Sequence, residues 1–360
     1  MESAAFDPAL RGLAERLEQI VGDGAAAAAM RMVRERAPDE RLATALMLRL
    51  ADESPPALKE VLRDPARAGD LAFCLGSSEL AGNALCAAGS LWPEVFERAR
   101  GESAADLIES IRIELPAVND RNEASRLLGA FKGQAFLRIV IGDLLGRLSV
   151  VDTTMAMSRL ADECIRAALE ASVRLLGAQG LEAGDFCVVA MGKLGAGELN
   201  LSSDIDLMYL CSENSDPVAA RRMGEMITEI ISAECFRTDL RLRPGGRNSP
   251  LVVSLEAALS FYQNLGQTWE RAALLRARPA AGALELGHRM IAELSRFIYR
   301  GYLDFDTLRQ LRAMKRRIEQ ELRSPALVDR DIKLGYGGIR ELEFIVQALT
   351  LVYGGRDPRL

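Results

Sequence analysis

The stretch that decides the fold is residues 186–211, FCVVAMGKLGAGELNLSSDIDLMYLC. Two apolar runs in it, Phe186–Ala190 and Ile205–Cys211, have the length and composition of strands. A turn with three glycines separates them, and Asp204 and Asp206 open the second run. Side chains two residues apart on a strand point to the same face. Two carboxylates held that way beside the free N–H groups of a glycine-rich turn predict a cradle for a divalent cation and phosphate.

Residues 236–244, FRTDLRLRP, predict a third strand. On that strand Asp239, Arg241 and Arg243 share one face, and the alternating Thr and Leu residues take the other. One interpretation is an edge strand whose charged outer face prevents aggregation. Beside the Asp pair, however, Asp239 is the expected third carboxylate of a metal site, and the arginines are expected to clamp phosphate.

Most of the remaining chain has apolar residues at the three- and four-residue spacing of helices. Predicted helices are Leu10–Ile20, Ala25–Arg36, Glu40–Ala51, Ala57–Leu62, Trp92–Ala99, Asp120–Leu148, Thr154–Leu175, Asp216–Cys235, Leu255–Leu265, Thr268–Ala277, Ala283–Arg300, Phe305–Arg323 and Ile339–Tyr353, and Leu251–Val253 is a possible fourth strand. We therefore predict an α+β fold that is predominantly helical, with a small mixed sheet. The expected domains are an N-terminal helical domain (1–119), a catalytic core (120–282) and a C-terminal helical region (283–360).

Composition narrows the chemistry. The 360 residues suffice for two or three domains, and a net charge of −6 argues against a broad nucleic-acid or membrane footprint. The first residues lack the features of a signal peptide, so a cytoplasmic protein is expected. Six scattered cysteines predict reduced, mostly buried thiols. The chain has a single histidine, His288. Catalysis that needs a histidine beside a nucleophile would therefore have to use that residue. His288 lies inside an apparent helix and is expected to be structural. Any catalysis is therefore expected to use carboxylates, basic groups and metal ions.

Two further patterns are ambiguous. Arg271 and Arg278 are predicted to lie on one face of a helix, where charged side chains are usually solvated. Residues 333–343, KLGYGGIRELE, are a glycine-rich turn that leads into a helix and are a potential anion site. Because they lack the spacing of a dinucleotide fingerprint, the preferred interpretation is a tight loop that packs one helix against its neighbour.

Four ordered motifs resemble the bacterial bifunctional glutamine synthetase adenylyltransferase/adenylyl-removing enzymes. They are MGKLG with ELNLSSDIDL (191–207), DLRLRP (239–244), TWER (268–271) and GGIRELEF (337–344). The resemblance implies a nucleotidyltransferase core of the DNA polymerase beta type, flanked by helices. The last motif, with Glu341, is similar to the first half of the family, which removes AMP; the second half usually has Asp there. The resemblance thus implies an N-terminal half that ends before the family's second domain.

The same resemblance implies a mechanism. Asp204, Asp206 and Asp239 would hold two Mg²⁺ ions on the phosphate of an adenylylated tyrosine. Orthophosphate would attack there, releasing ADP and unmodified glutamine synthetase. The residues expected to bind nucleotide and phosphate are Gly192, Lys193, Ser203, Arg241 and Arg243. The implied protein partners are glutamine synthetase and the PII nitrogen-signalling protein. Two alternatives stay open: ATP-dependent adenylylation on the same residues, or a non-catalytic module that binds these partners.

Overall fold

The computed structural model describes residues 8–299, 309, 331–333, 335 and 337–355. Tertiary contacts divide the chain into two compact units. The first comprises Met1–Ile113 with Gly129–Leu160, and the second comprises Glu114–Leu128 with Ala161–Leu360. The division of the sequence into three domains stays a prediction.

The first unit contains short helices, several of which begin at a side chain that caps free backbone N–H groups. Asp39 accepts from the N–H of Leu42, and Ser78 accepts from that of Ala81. Such caps fix where a helix begins. The eight helices are α1 (Pro8–Val21), α2 (Asp23–Arg36), α3 (Glu40–Glu53), α4 (Pro55–Leu62), α5 (Pro65–Ser77), α6 (Glu79–Ala87), α7 (Trp92–Gly101) and α8 (Ala104–Ser110).

These helices bury an apolar core in which Trp92 and Phe96 are fully buried and lie 6.5 Å apart between ring centroids. The unit also holds a buried ion pair, since the guanidinium of Arg138 contacts Glu102 and both side chains are 9% exposed. The hydroxyl of Ser110 accepts a further hydrogen bond from Arg138. Packing of amphipathic faces, rather than helix propensity alone, therefore stabilises this unit. Every helix predicted between Leu10 and Ala99 is confirmed.

Two long helices follow, α9 (Arg121–Leu144) and α10 (Val150–Leu176). They confirm the predicted helices Asp120–Leu148 and Thr154–Leu175 to within a few residues at each end.

The second unit contains a five-stranded mixed sheet with the order β3-β2-β1-β5 and with β4 also paired to β2. The strands are β1 (Phe186–Met191), β2 (Ile205–Cys211), β3 (Thr238–Asp239), β4 (Val252–Ser254) and β5 (Arg278–Gly282). β1 is antiparallel to β2 and β5, whereas β2 is parallel to β3 and β4. The predicted α+β class with a small mixed sheet is confirmed. The more specific DNA polymerase beta type stays a prediction.

Helices surround this sheet. They are α11 (Gly192–Gly195), α12 (Pro217–Glu234), α13 (Leu255–Leu265), α14 (Thr268–Leu274), α15 (Leu284–Ile298) and α16 (Ile339–Tyr353). Met191, Met208 and Leu210 of the sheet are fully buried and belong to one core with Tyr262 of α13 and Met290 of α15. Sheet and helices therefore bury their apolar faces together.

One strand prediction for this unit is wrong, and one strand has no prediction. The expected strand 236–244 is a strand only at Thr238–Asp239. The carboxylate of Asp239 accepts the backbone N–H of Arg241 at 2.9 Å, and Gly245 and Gly246 follow with φ of +75° and +67°. The chain therefore turns away from the sheet directly after Asp239.

The predicted helix Thr268–Ala277 is confirmed, although it ends three residues earlier, at Leu274. The strand without a prediction is β5, residues 278–282, RPAAG, at the edge of the sheet beside β1. An edge strand tolerates Pro279 because one side of it makes no ladder hydrogen bonds. The predicted helix Phe305–Arg323 lies outside the described residues except at Arg309.

The cysteines are free thiols, buried except for the half-buried Cys235, as predicted. Among the described residues, no helix combines the length and hydrophobicity needed to span a bilayer.

Candidate active site

Three carboxylates meet where β2 and β3 run side by side. Asp206 is the second residue of β2, and its register partner on the parallel strand β3 is Asp239. Neighbouring strands lie about 4.8 Å apart, so these two side chains are adjacent. Asp204 immediately precedes β2, and all three line one cleft of about 630 Å³. The structure thus brings together the three acids that the sequence singled out.

The pKa of Asp206, the most buried of the three acids, is shifted. Burial, followed by the negative charges of Asp239 and Asp204, raises the pKa of Asp206 to about 6 from a usual 3.8. The pKa of Asp239 is lowered instead, chiefly because its carboxylate accepts hydrogen bonds from the side chain of Arg241. Carboxylates pushed apart in pKa inside a cleft are typical of a functional site.

Two exposed arginines pair with the outer acids. Nε of Arg237 lies 2.7 Å from Oδ1 of Asp204, and Nε of Arg241 lies 2.7 Å from Oδ2 of Asp239. The side chains of Arg237 and Arg241 are 83% and 62% exposed. Exposed ion pairs contribute about 0–1 kcal/mol. These pairs are therefore weak enough for a cation and an anionic ligand to displace.

The glycine turn lies against the carboxylates. Gly192 follows β1 with φ of +56°, and a Cβ added there would lie 2.4 Å from Oδ2 of Asp206. A Cβ on Gly195 would lie 1.7 Å from the carbonyl oxygen of Arg276. Gly192 is thus required for its backbone conformation and its close approach to Asp206, and Gly195 is required for its close approach to the backbone of Arg276. Gly192, Lys193 and Ser203 all line the cleft, and their roles in binding nucleotide and phosphate stay a prediction.

Arg243 is the exception among the predicted site residues. Its guanidinium donates to four backbone carbonyls within the loop after β3, those of Leu240, Arg247, Ser249 and Pro250. It does not line the cleft, whereas Arg241 does. The reason is the turn after Asp239, which abolishes the shared strand face. Arg243 therefore holds the loop that follows the third acid.

The arginines predicted to share a helical face do not do so. Arg271 of α14 is 2% exposed, and its Nε donates to the carbonyl of Ile298 at 3.1 Å. Arg278 begins β5, where its guanidinium contacts Asp162 at 3.0 Å and donates to the carbonyl of Leu194 at 3.2 Å. Both side chains hold elements together, and neither lines the cleft.

Two helix faces that the sequence did not assign to the site also line the cleft. They are Trp269, Ala272 and Ala273 of α14, with Arg276 just beyond its last residue, and Arg340, Glu343, Phe344 and Gln347 of α16. The three α14 residues have the spacing i, i+3, i+4, and the four α16 residues have the spacing i, i+3, i+4, i+7, which places each set on one helical face. That spacing is the signal that could have found them, but their mixed polarity is also typical of a solvated face. We call these two faces the helical wall.

The glycine-rich turn before α16 also reaches the cleft. Lys333 and Arg340 line it, and Gly337 has φ of +73°. The side chain of Glu343 lies 3.7 Å from that of Arg276, which links α16 to the end of α14. The preferred interpretation, a loop that packs one helix against another, is thus incomplete, because residues of this segment also line the cleft that holds the carboxylates.

The donor set fits a hard divalent cation. Mg²⁺ prefers carboxylate and other oxygen ligands. The raised pKa of Asp206 reflects its burial first and the negative charges of its neighbours second, and a bound cation would offset both. Within the described part of the chain, no group of three or more His, Cys, Asp or Glu side chains already stands at metal-ligand spacing. The acids converge without forming a complete ligand shell, so oxygens of a bound substrate would have to contribute. His288 is exposed on α15 and does not line the cleft.

Comparison with known proteins gives two family matches. A family model described as glutamate-ammonia ligase adenylyltransferase matches residues 70–293. A second, described as GlnD PII-uridylyltransferase, matches residues 305–359. The first match contains the glycine turn and all three carboxylates.

Curated relatives carry the name bifunctional glutamine synthetase adenylyltransferase/adenylyl-removing enzyme. The chain is 35% identical to the one from Pseudomonas aeruginosa over 348 residues, which is 89% of this chain and 35% of the relative. It is 38% identical to the Nitrosococcus oceani protein over 277 residues, 70% of this chain and 28% of the relative. With the Rhizobium meliloti protein it shares 36% identity over 354 residues, 84% of this chain and 35% of the relative. The chain spans about a third of the length of these relatives.

The family model covers more than half of the chain, from residue 70 to residue 293, and it includes the carboxylate cluster. The chain therefore belongs to the glutamate-ammonia ligase adenylyltransferase family.

Proposed function

We propose that this protein removes AMP from an adenylylated tyrosine of glutamine synthetase by Mg²⁺-dependent phosphorolysis, yielding ADP and unmodified glutamine synthetase. The observation that carries the proposal is the cluster of Asp204, Asp206 and Asp239 in one cleft. The relatives are named for adding and removing adenylyl groups, which supports chemistry at an AMP phosphorus. The direction rests on the motif GGIRELEF with Glu341, which is similar to the adenylyl-removing half of the family.

We also propose that the core of the second unit is of the DNA polymerase beta type. Support comes from the mixed sheet, with two acids at the start of β2 and a third on the parallel strand β3. A carboxylate set split over two neighbouring strands suits a metal-dependent nucleotidyl transfer.

Asp204, Asp206 and Asp239 would hold the Mg²⁺. When bound, the metal would neutralise charge on the phosphorus oxygens and on the departing phenolate. The cleft itself offers cationic groups for the phosphates. They are Lys193, Arg237, Arg241, Arg276, Lys333 and Arg340. Gly192 keeps the turn close to Asp206, so backbone N–H groups there can also face a phosphate.

The reaction needs no histidine. Hydrogen phosphate is anionic near neutral pH, and its oxygen attacks the phosphorus opposite the tyrosine oxygen. A new P–O–P bond forms as the bond to tyrosine breaks. The proton of hydrogen phosphate ends on the tyrosine oxygen, whose pKa of about 10 favours the protonated product. The cleft residues thus bind and orient two anions and offset their mutual repulsion.

The protein partners follow from the proposal. Glutamine synthetase is the protein substrate. The PII nitrogen-signalling protein is proposed as a regulatory partner, supported by the family model over residues 305–359 whose description names PII. Titration of PII into this chain by calorimetry tests that interaction separately from the chemistry.

The decisive assay supplies adenylylated glutamine synthetase, orthophosphate and Mg²⁺ and measures ADP release. Release is expected from the wild type and from Asp185→Asn, an exposed acid of the same unit. It should fall about 100- to 1000-fold in Asp204→Asn, as expected when a group that stabilises charge in the transition state is lost. Unchanged phosphorolysis in Asp204→Asn would overturn the assignment. The same chain with ATP and unmodified glutamine synthetase tests the reverse modification; transfer of AMP there, without ADP release in the first assay, would favour adenylylation.

A further inference from the structure

We infer that the helical wall binds the purine ring of the nucleotide, with Trp269 as its stacking platform. The inference rests on the proposed function, because it presumes an adenine nucleotide in this cleft. It extends that function by assigning the base-binding part of the site to α14 and α16. The carboxylate and glycine-turn side then serves the phosphates, together with the guanidiniums of Arg276 and Arg340 in the same cleft.

The two sides of the cleft differ in their aromatic residues and carboxylates, although both carry cations. The sheet side presents three carboxylates, Lys193, Arg237 and Arg241, which suit metal and phosphate, and Arg276 and Arg340 add positive charge beside the helical wall. Among the described residues that line the cleft, the aromatic ones are Trp269 and Phe344, and both belong to the helical wall. Aromatic faces stack on nucleobases through their π systems.

The shape of α14 favours a flat ligand. Ala272 and Ala273 lie three and four residues after Trp269 and line the cleft beside it. Their side chains end at Cβ, so they leave space next to the indole. A planar ring of purine size can lie there against Trp269, where larger side chains would fill the same volume.

The platform is held in place before any ligand binds. The indole Nε1 of Trp269 donates to Oε1 of Gln267 at 3.2 Å. Glu270 caps α14 by accepting the backbone N–H of Gln267 at 2.8 Å, and its neighbour Arg271 is buried against the carbonyl of Ile298. A preorganised aromatic side chain loses little conformational entropy when a ligand stacks on it.

Polar groups on α16 match the edge of adenine. Gln347 offers an amide donor and acceptor, and Glu343 offers a carboxylate acceptor, in the same cleft as Phe344. Adenine has an amino donor and ring-nitrogen acceptors that such groups can pair with. A tyrosine ring whose oxygen is esterified to phosphorus has no comparable polar edge. The composition of the helical wall therefore favours the purine over the tyrosine of the protein substrate.

Fluorescence offers a direct readout, because the chain has two tryptophans. Trp92 is fully buried in the first unit, whereas Trp269 is half-buried in the cleft. Stacking of adenine on an indole quenches its emission. Titration with ADP and Mg²⁺ should quench Trp269 in a Trp92→Phe background, and pyrophosphate with Mg²⁺, which has no base, should bind without that quenching.

Affinity gives the second readout. By calorimetry, Trp269→Leu should weaken ADP binding about 5- to 150-fold, the range expected for loss of one base–aromatic stack. Its affinity for pyrophosphate should stay unchanged, and Trp269→Phe should recover part of the ADP affinity. Circular dichroism of each variant establishes that the fold is intact.

Each other outcome has a definite meaning. If ADP and pyrophosphate both bind the wild type and Trp269→Leu retains full ADP affinity, the base subsite is elsewhere and the proposed function stands. Trp269→Leu could instead lose affinity for a peptide with an adenylylated tyrosine and keep its affinity for ADP. The indole would then contact the tyrosine of the protein substrate, and the inference would be overturned. If neither ADP nor pyrophosphate binds the wild type with Mg²⁺, the proposed function and the inference fall together.

Discussion

Replacing Asp206 with asparagine should stabilise the second unit at neutral pH in the absence of divalent cations. Burial of the carboxylate, and after it the charges of Asp239 and Asp204, disfavour its ionised form. Asparagine has nearly the same shape and no charge, so the substitution removes the cost of a buried charge and the repulsion without leaving a cavity. A residue kept for binding is expected to show such a cost in stability.

The magnitude follows from the pKa of Asp206, which rises from 3.8 to about 6. One pKa unit corresponds to about 1.4 kcal/mol, so the gain has an upper limit of about 3 kcal/mol. The folded carboxyl binds its proton more tightly than the unfolded one does. Its favourable contribution to stability is therefore complete below about pH 4 and is lost as the pH rises through about 6. The advantage of Asp206→Asn should grow over that window and stay constant above pH 7.

The assay is urea unfolding in EDTA between pH 4 and 8, followed by the fluorescence of Trp269 in a Trp92→Phe background. This probe reports on the second unit only, which avoids treating two units as one transition. Asp185→Asn is the matched control, because it removes an exposed charge from the same unit. Its unfolding free energy should change by less than about 0.5 kcal/mol.

One result would refute the reasoning. If Asp206→Asn unfolded at lower urea than the wild type at pH 8 in EDTA, the carboxylate would be stabilising the fold, and the acids would not repel one another. Equal stability at every pH would be as damaging, since it would mean that the cluster does not shift the pKa of Asp206.

Three other substitutions, one of them with a control, test the glycine turn, the loop after β3 and the buried ion pair of the first unit. Gly192→Ala should lower ADP release about 100-fold, because its Cβ would lie 2.4 Å from the carboxylate of Asp206 and displace it. The control is Gly197→Ala, at a glycine with φ of +72° and open space around it. This control should lose only about 1 kcal/mol of stability. Arg243→Ala should destabilise the second unit by about 1.5–3 kcal/mol in urea unfolding, because its guanidinium holds backbone carbonyls, and Mg²⁺–ADP affinity should change little. Arg138→Met should destabilise the first unit by about 3 kcal/mol in calorimetric unfolding, because it removes one partner of the buried pair with Glu102.

The sequence predicts the centre of the second unit well because its periodicity changes there. The apolar runs of β1 and β2 flank a turn whose glycines have no other ready explanation, and the structure has both strands within one residue of the predicted bounds. The acids Asp204 and Asp206 therefore lie where the pattern puts them. The third acid, Asp239, is brought alongside by the parallel pairing of β3 with β2.

The errors have local causes that alternation does not reveal. Asp239 accepts the backbone N–H of Arg241, and this hydrogen bond starts a turn where the pattern predicts five more strand residues. The edge strand β5 has the sequence RPAAG, with one proline and no apolar alternation, so only its pairing with β1 identifies it. In both places side-chain capping or tertiary pairing overrides local preference.

The helical wall was missed for a different reason. Trp269 and Phe344 are 75 positions apart in the numbering and share the cleft only through the packing of α14 and α16 in the second unit. Each helix face, taken alone, has the mixed polarity of a surface. No local pattern distinguishes such a face from a solvated one, so contacts distant in sequence had to be seen before a role could be assigned.

The most direct test of the central claim is electron paramagnetic resonance of Mn²⁺ bound with ADP. If Asp204, Asp206 and Asp239 hold the metal, the wild type and Asp185→Asn should show a bound Mn²⁺ signal with coupling to phosphorus of the nucleotide. That signal should be lost in a variant carrying Asp204→Asn, Asp206→Asn and Asp239→Asn. A bound, phosphorus-coupled Mn²⁺ that persisted in this triple variant would contradict the claim that the three carboxylates hold the metal.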